Sequence, residues 1–146
     1  MITFHFEGVG FRLKARRSVR SWIEKVVVQD HFKVGELSFV FCSDERLLAI
    51  NKQFLQHNYY TDIITFDNSE GDVLSGEMVI SVDRVRDNAR ALGVRFEDEL
   101  HRVMAHGTLH LCGLKDGTER EQAAMRSAEN RWLEMRNVPR GTKKTN

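Results

Sequence analysis

The segment His106–Asp116, with the sequence HGTLHLCGLKD, decides how the rest of the chain is interpreted. It follows a long amphipathic run over residues 94–105, so we expect one helix to continue into it. His106 and His110 are then four residues apart and lie on the same face of this helix. Both imidazole rings can therefore reach one metal ion.

A turn after the histidine pair supplies a third ligand. Gly113 offers a helix stop in the left-handed conformation that glycine adopts readily, and beyond it Asp116 can fold back toward His106 and His110. Two nitrogens and one oxygen form a three-ligand set that leaves one metal position open for water. We predict that His106, His110 and Asp116 form a catalytic metal site.

The alternative is a pair of partly exposed histidines near a helix end, with the aspartate as an ordinary turn residue. Apolar residues surround the pair and predict a core-facing helix, in which unpaired imidazoles are costly; they are Val103, Met104, Leu109 and Leu111. The metal interpretation is therefore favoured.

The histidine spacing is also similar to that of metzincin proteases. Those enzymes place a glutamate directly after the first histidine as the general base. Gly107 occupies that position and cannot carry a proton. Peptide hydrolysis by that mechanism is therefore disfavoured, and a hydrolytic water would be activated by the metal, by a base elsewhere or by the substrate.

Composition limits the remaining possibilities. The chain has 146 residues, of which 41% are hydrophobic and 29% charged, and a net charge of +1. No apolar run approaches the roughly 20 residues of a membrane span, and the N-terminus lacks a signal-peptide layout. Cys42 and Cys112 suggest buried thiols in a reducing compartment. We therefore predict a cytoplasmic protein that does not contact a membrane.

With so small a net charge, nucleic-acid binding requires a local basic patch. The segment over residues 8–23 has a charge of +5 and no acidic residue; its basic residues are Arg12, Lys14, Arg16, Arg17 and Arg20. These side chains are candidates for phosphate contacts, the alternative being a solvated surface. Tyr59 and Tyr60 could stack on bases or belong to the core or rim.

Hydrophobic periodicity predicts the order strand, helix, strand, helix, strand, strand, helix, helix, helix. We predict a single α+β (α/β) domain over residues 1–138, with a mixed four-stranded sheet and about five helices. A hairpin across residues 67–75 would be its antiparallel part, and residues 139–146 a disordered tail. The predicted helix N-caps are Ser18, Asp83 and Thr118, the last in a capping box with Glu121. Ser43 and Asp44 are expected to start a further helix.

The histidine motif resembles the signature of the YbeY family of bacterial metal-dependent endoribonucleases, His-Gly-x-Leu-His-Leu-x-Gly-Tyr-Asp-His. The resemblance continues upstream over roughly residues 35–136. Three further segments carry it: residues 48–54 resemble Leu-Asn-x-x-Tyr, residues 61–66 resemble Thr-Asp-Val-Leu-Ser-Phe, and residues 76–80 resemble Gly-Asp-Ile-x-Ile.

The resemblance implies an α/β fold with a zinc-like ion in a cleft, one Zn²⁺ per chain or another divalent ion. It implies single-strand-preferring cleavage of ribosomal RNA, notably at the 3′ end of the small-subunit RNA, and a role in ribosome quality control. The partners would be ribosomal RNA and the small ribosomal subunit. By position, His106 and His110 are two ligands, and the third family histidine falls on Asp116.

One family position lacks its functional residue. The arginine that follows Leu-Asn-x-x-Tyr and is held to serve catalysis is replaced by Leu55. Candidate replacements are Lys52, Arg84 and Lys115.

The carboxylates of Asp62 and Glu77 fit a structural or an acid–base role. Alternatives are therefore a ribosome-assembly RNA-binding module with a structural metal, and a metallohydrolase for another substrate.

Overall fold

A computed structural model describes residues 1–55 and 61–139. These residues form four strands and five helices in the predicted order: β1 (Ile2–Phe6), α1 (Arg16–Gln29), β2 (Lys33–Cys42), α2 (Asp44–Phe54), β3 (Ile63–Asp67), β4 (Val73–Ser81), α3 (Val82–Leu92), α4 (Phe96–Leu111) and α5 (Glu119–Glu134). The predicted α+β class is confirmed.

The four strands form one mixed sheet in the order β1-β2-β4-β3. β1 and β4 each pair with β2 in parallel, whereas β3 pairs with β4 antiparallel. Parallel neighbours need a crossover connection, which α1 supplies between β1 and β2. The predicted hairpin is confirmed, and it places β3 at an edge of the sheet.

Both faces of the sheet are covered, because side chains alternate along each strand. On β2, Leu37, Phe39 and Phe41 belong to a large core cluster with residues of α1, α4 and α5. Val40 and Cys42 point into a smaller cluster with residues of α2. β4 contributes Met78 and Ile80 to the large cluster, which also holds residues of α4, and Val79 to the smaller one.

Two predicted helix starts are wrong. α1 begins at Arg16, because the backbone N–H of Val19 already donates to the carbonyl of Ala15, and Ser18 lies inside the first turn. α3 is capped by Ser81 rather than Asp83. The carboxylate of Asp83 instead accepts the backbone N–H of Asp44 at 2.9 Å.

The other two predicted helix starts are confirmed. Ser43 accepts the backbone N–H of Arg46 and starts α2. Thr118 and Glu121 form the capping box that starts α5, with both reciprocal hydrogen bonds made.

α5 is fixed against α1 by hydrogen bonds, one of which is buried. The indole N–H of Trp22 donates to the carbonyl of Trp132 at 2.8 Å. Asp30, just after α1, accepts both nitrogens of the Arg131 guanidinium at 2.7 and 3.0 Å and the Trp132 indole N–H at 3.0 Å. These contacts hold α5 beside the last turns of α4.

Val138 is 8% exposed and packs into the large core cluster, so the ordered contacts reach at least that residue. Residues 140–146 of the predicted tail lie outside the described residues, and the domain limits stay a prediction. In the described part of the chain, no helix has the length and apolarity needed to span a membrane.

Candidate metal centre

The last two turns of α4 and the loop after it bring three ligand atoms together. The Nε2 atoms of His106 and His110 are 3.0 Å apart. Oδ2 of Asp116 lies 3.2 Å from the first of these nitrogens and 3.4 Å from the second. Gly113 makes this approach possible, because the chain turns there with φ of 101°, a region that L side chains rarely adopt.

These separations fit one metal ion. Ligand atoms about 2.0–2.1 Å from a tetrahedral zinc ion stand about 3.3 Å from one another. The three measured distances, 3.0, 3.2 and 3.4 Å, lie around that value. The side chains of His106, His110 and Asp116 are 25%, 28% and 45% exposed, so a substrate can reach the site.

The other nitrogen of each ring fixes the tautomer. Nδ1 of His106 lies 2.7 Å from Oε2 of Glu129, and Nδ1 of His110 lies 2.8 Å from the carbonyl oxygen of Leu114. Both partners are acceptors, so each Nδ1 carries a proton. In neutral rings both Nε2 lone pairs then face each other and the carboxylate of Asp116. A divalent ion bound between the three atoms, or a proton on one Nε2, relieves the repulsion between these lone pairs.

Glu129 belongs to a network that reaches across α4 and α5. Its Oε1 accepts from the guanidinium of Arg102 at 2.9 Å, and Arg102 also donates to Oδ1 of Asn130 at 2.8 Å. The carboxylate side chain is only 7% exposed. Because both of its oxygens are engaged, Glu129 holds the ring of His106 in one orientation.

The electrostatics of this pair follow from burial and hydrogen bonding. Burial lowers the pKa of His106, but the hydrogen bond and charge of Glu129, with the charges of Asp116 and Asp62, outweigh it and raise the pKa. Burial likewise raises the pKa of Glu129, but the hydrogen bonds from His106 and Arg102 outweigh it and lower the pKa. Both groups therefore favour their charged forms in the metal-free protein.

A cleft of about 870 Å³ opens at the three ligands. Its walls come from β3 and the chain before it, from the end of α2, and from one face each of α4 and α5. On α4 the lining residues are Glu99, Arg102, Val103, His106, His110 and Leu111; on α5 they are Gln122, Met125, Arg126 and Glu129. These spacings of three and four residues are those of single helix faces.

Two further carboxylates in the cleft are shifted toward their neutral forms. Burial raises the pKa of Asp62, although the charge of His106 acts to lower it. Burial and the neighbouring charge of Asp62 raise the pKa of Glu99. The charges of Arg102 and Arg126 act to lower it, but their effect is smaller. Glu77, which the sequence paired with Asp62 as a candidate, is exposed on β4 and is not among the described residues that line the cleft.

Packing explains why a glycine follows the first histidine. A Cβ atom at Gly107 would lie 2.7 Å from Cδ1 of Ile63 and 3.0 Å from Sδ of Met78. α4 therefore crosses β3 and β4 closely at this point. Gly107 serves this approach, as well as leaving no general base beside His106.

The basic N-terminal residues lie elsewhere. The guanidinium groups of Arg12 and Arg16 stand 5.1 and 4.8 Å from the ring centre of Phe6, and that of Arg20 stands 5.2 Å from the ring centre of Phe4. They thus stack on β1, at the edge of the sheet opposite β3. Lys14 lies 4.0 Å from a carboxylate oxygen of Glu97.

Within the described residues, none of the segment's basic side chains, which also include Arg17, lines the metal cleft. RNA binding by this segment therefore stays a prediction. The surface concerned lies away from the metal ligands.

Leu55 lines the cleft and is 39% exposed. The three cations proposed to replace the family arginine, Lys52, Arg84 and Lys115, are not among the described residues that line it. Arg84 instead pairs with Asp44 at 2.7 Å. The cleft's guanidinium groups come from Arg102 and Arg126, which the sequence did not single out.

His101 and the cysteines lie outside the ligand set. His101 is 2% exposed, packs against the ring of Trp22 and contacts Arg136, so its role is structural. Cys42 is buried and Cys112 partly buried; burial raises the pKa of each thiol to about 12. His57, Tyr59 and Tyr60 lie outside the described residues, so the predicted base stacking there stays untested.

Sequence reasoning also missed Glu129. A signal was available, because Glu129 lies between Met125 and Trp132 on the apolar face of α5, where a carboxylate needs a partner. Its partner could not be named, since His106 is 23 positions away along the chain.

Comparisons with known proteins agree with this fold. A family model described as Endoribonuclease YbeY matches residues 9–137. A Porphyromonas gingivalis protein named Endoribonuclease YbeY is 53% identical over 134 residues, which cover 92% of this chain and 89% of that protein. A Bacteroides thetaiotaomicron protein of the same name is 47% identical over 135 residues, covering 92% and 98%.

A solved structure is also similar. The solution structure of TM1509 from Thermotoga maritima matches with a TM-score of 0.70 and 28% identity, covering 92% of this chain and 88% of that one. Together with the family model and the relatives, this similarity extends over nearly the whole described chain. The chain belongs to the Endoribonuclease YbeY family.

Proposed function

We propose that this protein is a metal-dependent endoribonuclease that cuts single-stranded segments of ribosomal RNA. Its place would be the cytoplasm, in maturation of the small-subunit RNA 3′ end and in ribosome quality control. Family membership supports the activity. The observation that carries the metal dependence is the convergence of two Nε2 lone pairs and one carboxylate within hydrogen-bonding distances of one another.

His106, His110 and Asp116 would hold one ion, for which we propose Zn²⁺. Imidazole with carboxylate is a ligand set that zinc accepts, and three protein ligands leave a position for substrate or water. When bound, the ion would supply Lewis-acid chemistry, polarising a phosphate oxygen and making a water molecule more acidic. As a ligand, the carboxylate of Asp116 would add a negative charge to the metal site, whereas a third histidine would add none.

The protein's own residues prepare this site. Glu129 and the carbonyl of Leu114 each hold a proton at Nδ1 of a ligand histidine, which leaves Nε2 as the donor atom. The apolar side chains of Ile63, Leu111 and Met125 form part of the cleft wall. An unpaired strand can place a phosphodiester in such a cleft more readily than a duplex, whose grooves restrict access.

A second candidate function rests on Leu55. Because this cleft residue carries no charge to stabilise a phosphorane-like transition state, the protein could instead be a ribosome-assembly module that binds RNA around a structural metal. The two functions differ in whether RNA is cut.

Cleavage of a small-subunit RNA precursor by purified protein, with and without a chelator, separates them. We expect cleavage by the wild type that a chelator abolishes and added Zn²⁺ restores. His110→Ala should abolish it, whereas His5→Ala, which changes an exposed histidine on β1, should leave it intact. Cleavage that survives both the chelator and His110→Ala would contradict the proposal. RNA binding without any cleavage would support the assembly module.

A further inference from the structure

The charge balance of the cleft raises a question about substrate binding. Among the described residues that line it are five carboxylates and two guanidinium groups; the carboxylates belong to Asp62, Asp67, Glu99, Asp116 and Glu129. Burial raises the pKa of Asp62 and of Glu99, but the carboxylates that are ionised repel an RNA strand, which carries one negative charge per phosphate. A divalent ion offsets only part of this charge. A positively charged side chain that is available to phosphate is therefore needed.

Arg102 is already committed. Its two terminal nitrogens donate to Glu129 at 2.9 Å and to Asn130 at 2.8 Å, and its side chain is 23% exposed. Turning this guanidinium toward a substrate would leave Oε1 of the buried Glu129 carboxylate without its partner. Breaking such a pair is costly, so Arg102 supports the metal site rather than the substrate.

Arg126 is differently placed. Its side chain is exposed, and within residues 1–55 and 61–139 it forms no hydrogen bond or salt bridge. It lies on the same face of α5 as Gln122 and Glu129, and all three line the cleft. Three residues along a helix correspond to about 4.5 Å, so Arg126 stands one turn from the residue that holds His106. Its charge also opposes the rise in the pKa of Glu99.

Arg126 also lies where the cleft continues. A second depression of about 750 Å³ shares Glu99, Arg102 and Arg126 with the metal cleft. From there it extends to Leu92 and Val94, which are 60% and 46% exposed. A strand leaving the metal along this path passes Arg126 first and then reaches the exposed apolar side chains of Leu92 and Val94.

We propose that Arg126 binds a backbone phosphate of single-stranded RNA next to the phosphodiester that is cut. This rests on the proposed function and names the residue that positions its substrate. A guanidinium can bind a phosphate through two parallel hydrogen bonds. Because Arg126 makes no hydrogen bond or salt bridge within the described residues, contact with the substrate breaks none there.

RNA binding and cleavage by zinc-loaded variants test this assignment. The binding probe is a fluorescent single-stranded RNA oligonucleotide with 2′-O-methyl groups, measured by anisotropy between 50 and 200 mM salt. The variants are Arg126→Met, Arg126→Lys and, as the charge-matched control, Arg90→Met. Arg90 is exposed on α3 and lies 3.6 Å from a carboxylate oxygen of Asp87. It is not among the described residues that line either depression. Thermal unfolding and zinc content confirm that each variant is intact.

We expect Arg126→Met to weaken binding about tenfold, the effect of one charge-assisted hydrogen bond. Its plot of log affinity against log salt should be shallower by about 0.7, the value for one phosphate contact on a single strand. Arg126→Lys should keep the wild-type salt dependence, and Arg90→Met should match the wild type in both respects. Cleavage of unmodified RNA should fall in Arg126→Met, with zinc content unchanged.

Equal affinity and equal salt dependence in Arg126→Met and Arg90→Met would overturn the assignment, even if the wild type cuts RNA. Binding that depends on Arg126 without cleavage by the wild type would support the assignment while contradicting the nuclease function. Absence of RNA binding by the wild type would overturn both.

Discussion

Oε2 of Glu129 lies 2.7 Å from Nδ1 of His106, which links α5 to a metal-ligand candidate on α4. We predict that Glu129→Gln weakens zinc affinity by about 10–100-fold, the usual effect of losing such a supporting partner. The amide keeps the shape but loses the charge that makes the imidazole more basic. Competition with a chromophoric chelator measures the affinity.

Glu24→Gln is the matched control for this measurement, because Glu24 is exposed on α1 and outside the cleft. Equal zinc affinity in the two variants would show that the hydrogen bond does not support the ligand.

Gly76 tests how closely the elements behind the cleft are packed. A Cβ atom there would lie 2.3 Å from the carbonyl oxygen of Phe66 on β3 and 3.3 Å from Cδ2 of Leu111 on α4. Backbone cannot yield as a side-chain end can, so we predict that Gly76→Ala lowers the free energy of unfolding by about 1–3 kcal/mol. Urea denaturation measures this.

Gly10→Ala provides the comparison, because no heavy atom lies within 4 Å of the added carbon and the glycine has no positive φ. Replacing an unconstrained glycine by alanine usually stabilises slightly, by about 0.4–1 kcal/mol. If both variants changed stability in the same direction and to the same extent, the close approach of β3 and β4 would not matter.

Asp30 should make the attachment of α5 sensitive to acid. The hydrogen bond from Arg131, with a further one from Trp132, lowers the pKa of this carboxyl below 3.8 despite burial. A lowered pKa means that the stabilisation is present above about pH 3.8 and disappears as the pH falls through the folded-state value. Asp30→Asn should cost about 1–3 kcal/mol at neutral pH, because charged hydrogen bonds are lost.

Urea unfolding of the wild type and of Asp30→Asn between pH 7 and pH 3 tests this pH dependence. The difference in the free energy of unfolding between the two proteins should become smaller below about pH 3.8. A difference that is constant across this range, or that widens in acid, would contradict the account.

Local patterns predicted much of the site. The spacing of His106 and His110 on one helix depends only on helix geometry, and Gly113 marked the turn that returns Asp116. The same kind of local signal identified the capping box at Thr118 and the β3–β4 hairpin.

What the sequence did not reveal depends on contacts between distant segments. Glu129 and Arg126 could be placed on α5, but not in the metal cleft, until α5 was packed against α4. Similarly, the N-terminal arginines formed a clear charge cluster, yet their stacking on β1 at the far edge of the sheet follows from strand order. A cluster of charged residues in the sequence does not show which surface of the folded protein those residues will occupy.

The central claim is that His106, His110 and Asp116 hold one metal ion. Its most direct test is the metal content of chelator-treated protein after reconstitution with Zn²⁺ and removal of excess ion, measured by elemental analysis. We predict one ion per chain in the wild type and in His5→Ala, and a large loss in His106→Ala, His110→Ala and Asp116→Ala. No bound ion in the wild type, or the same content in all of these proteins, would contradict the account.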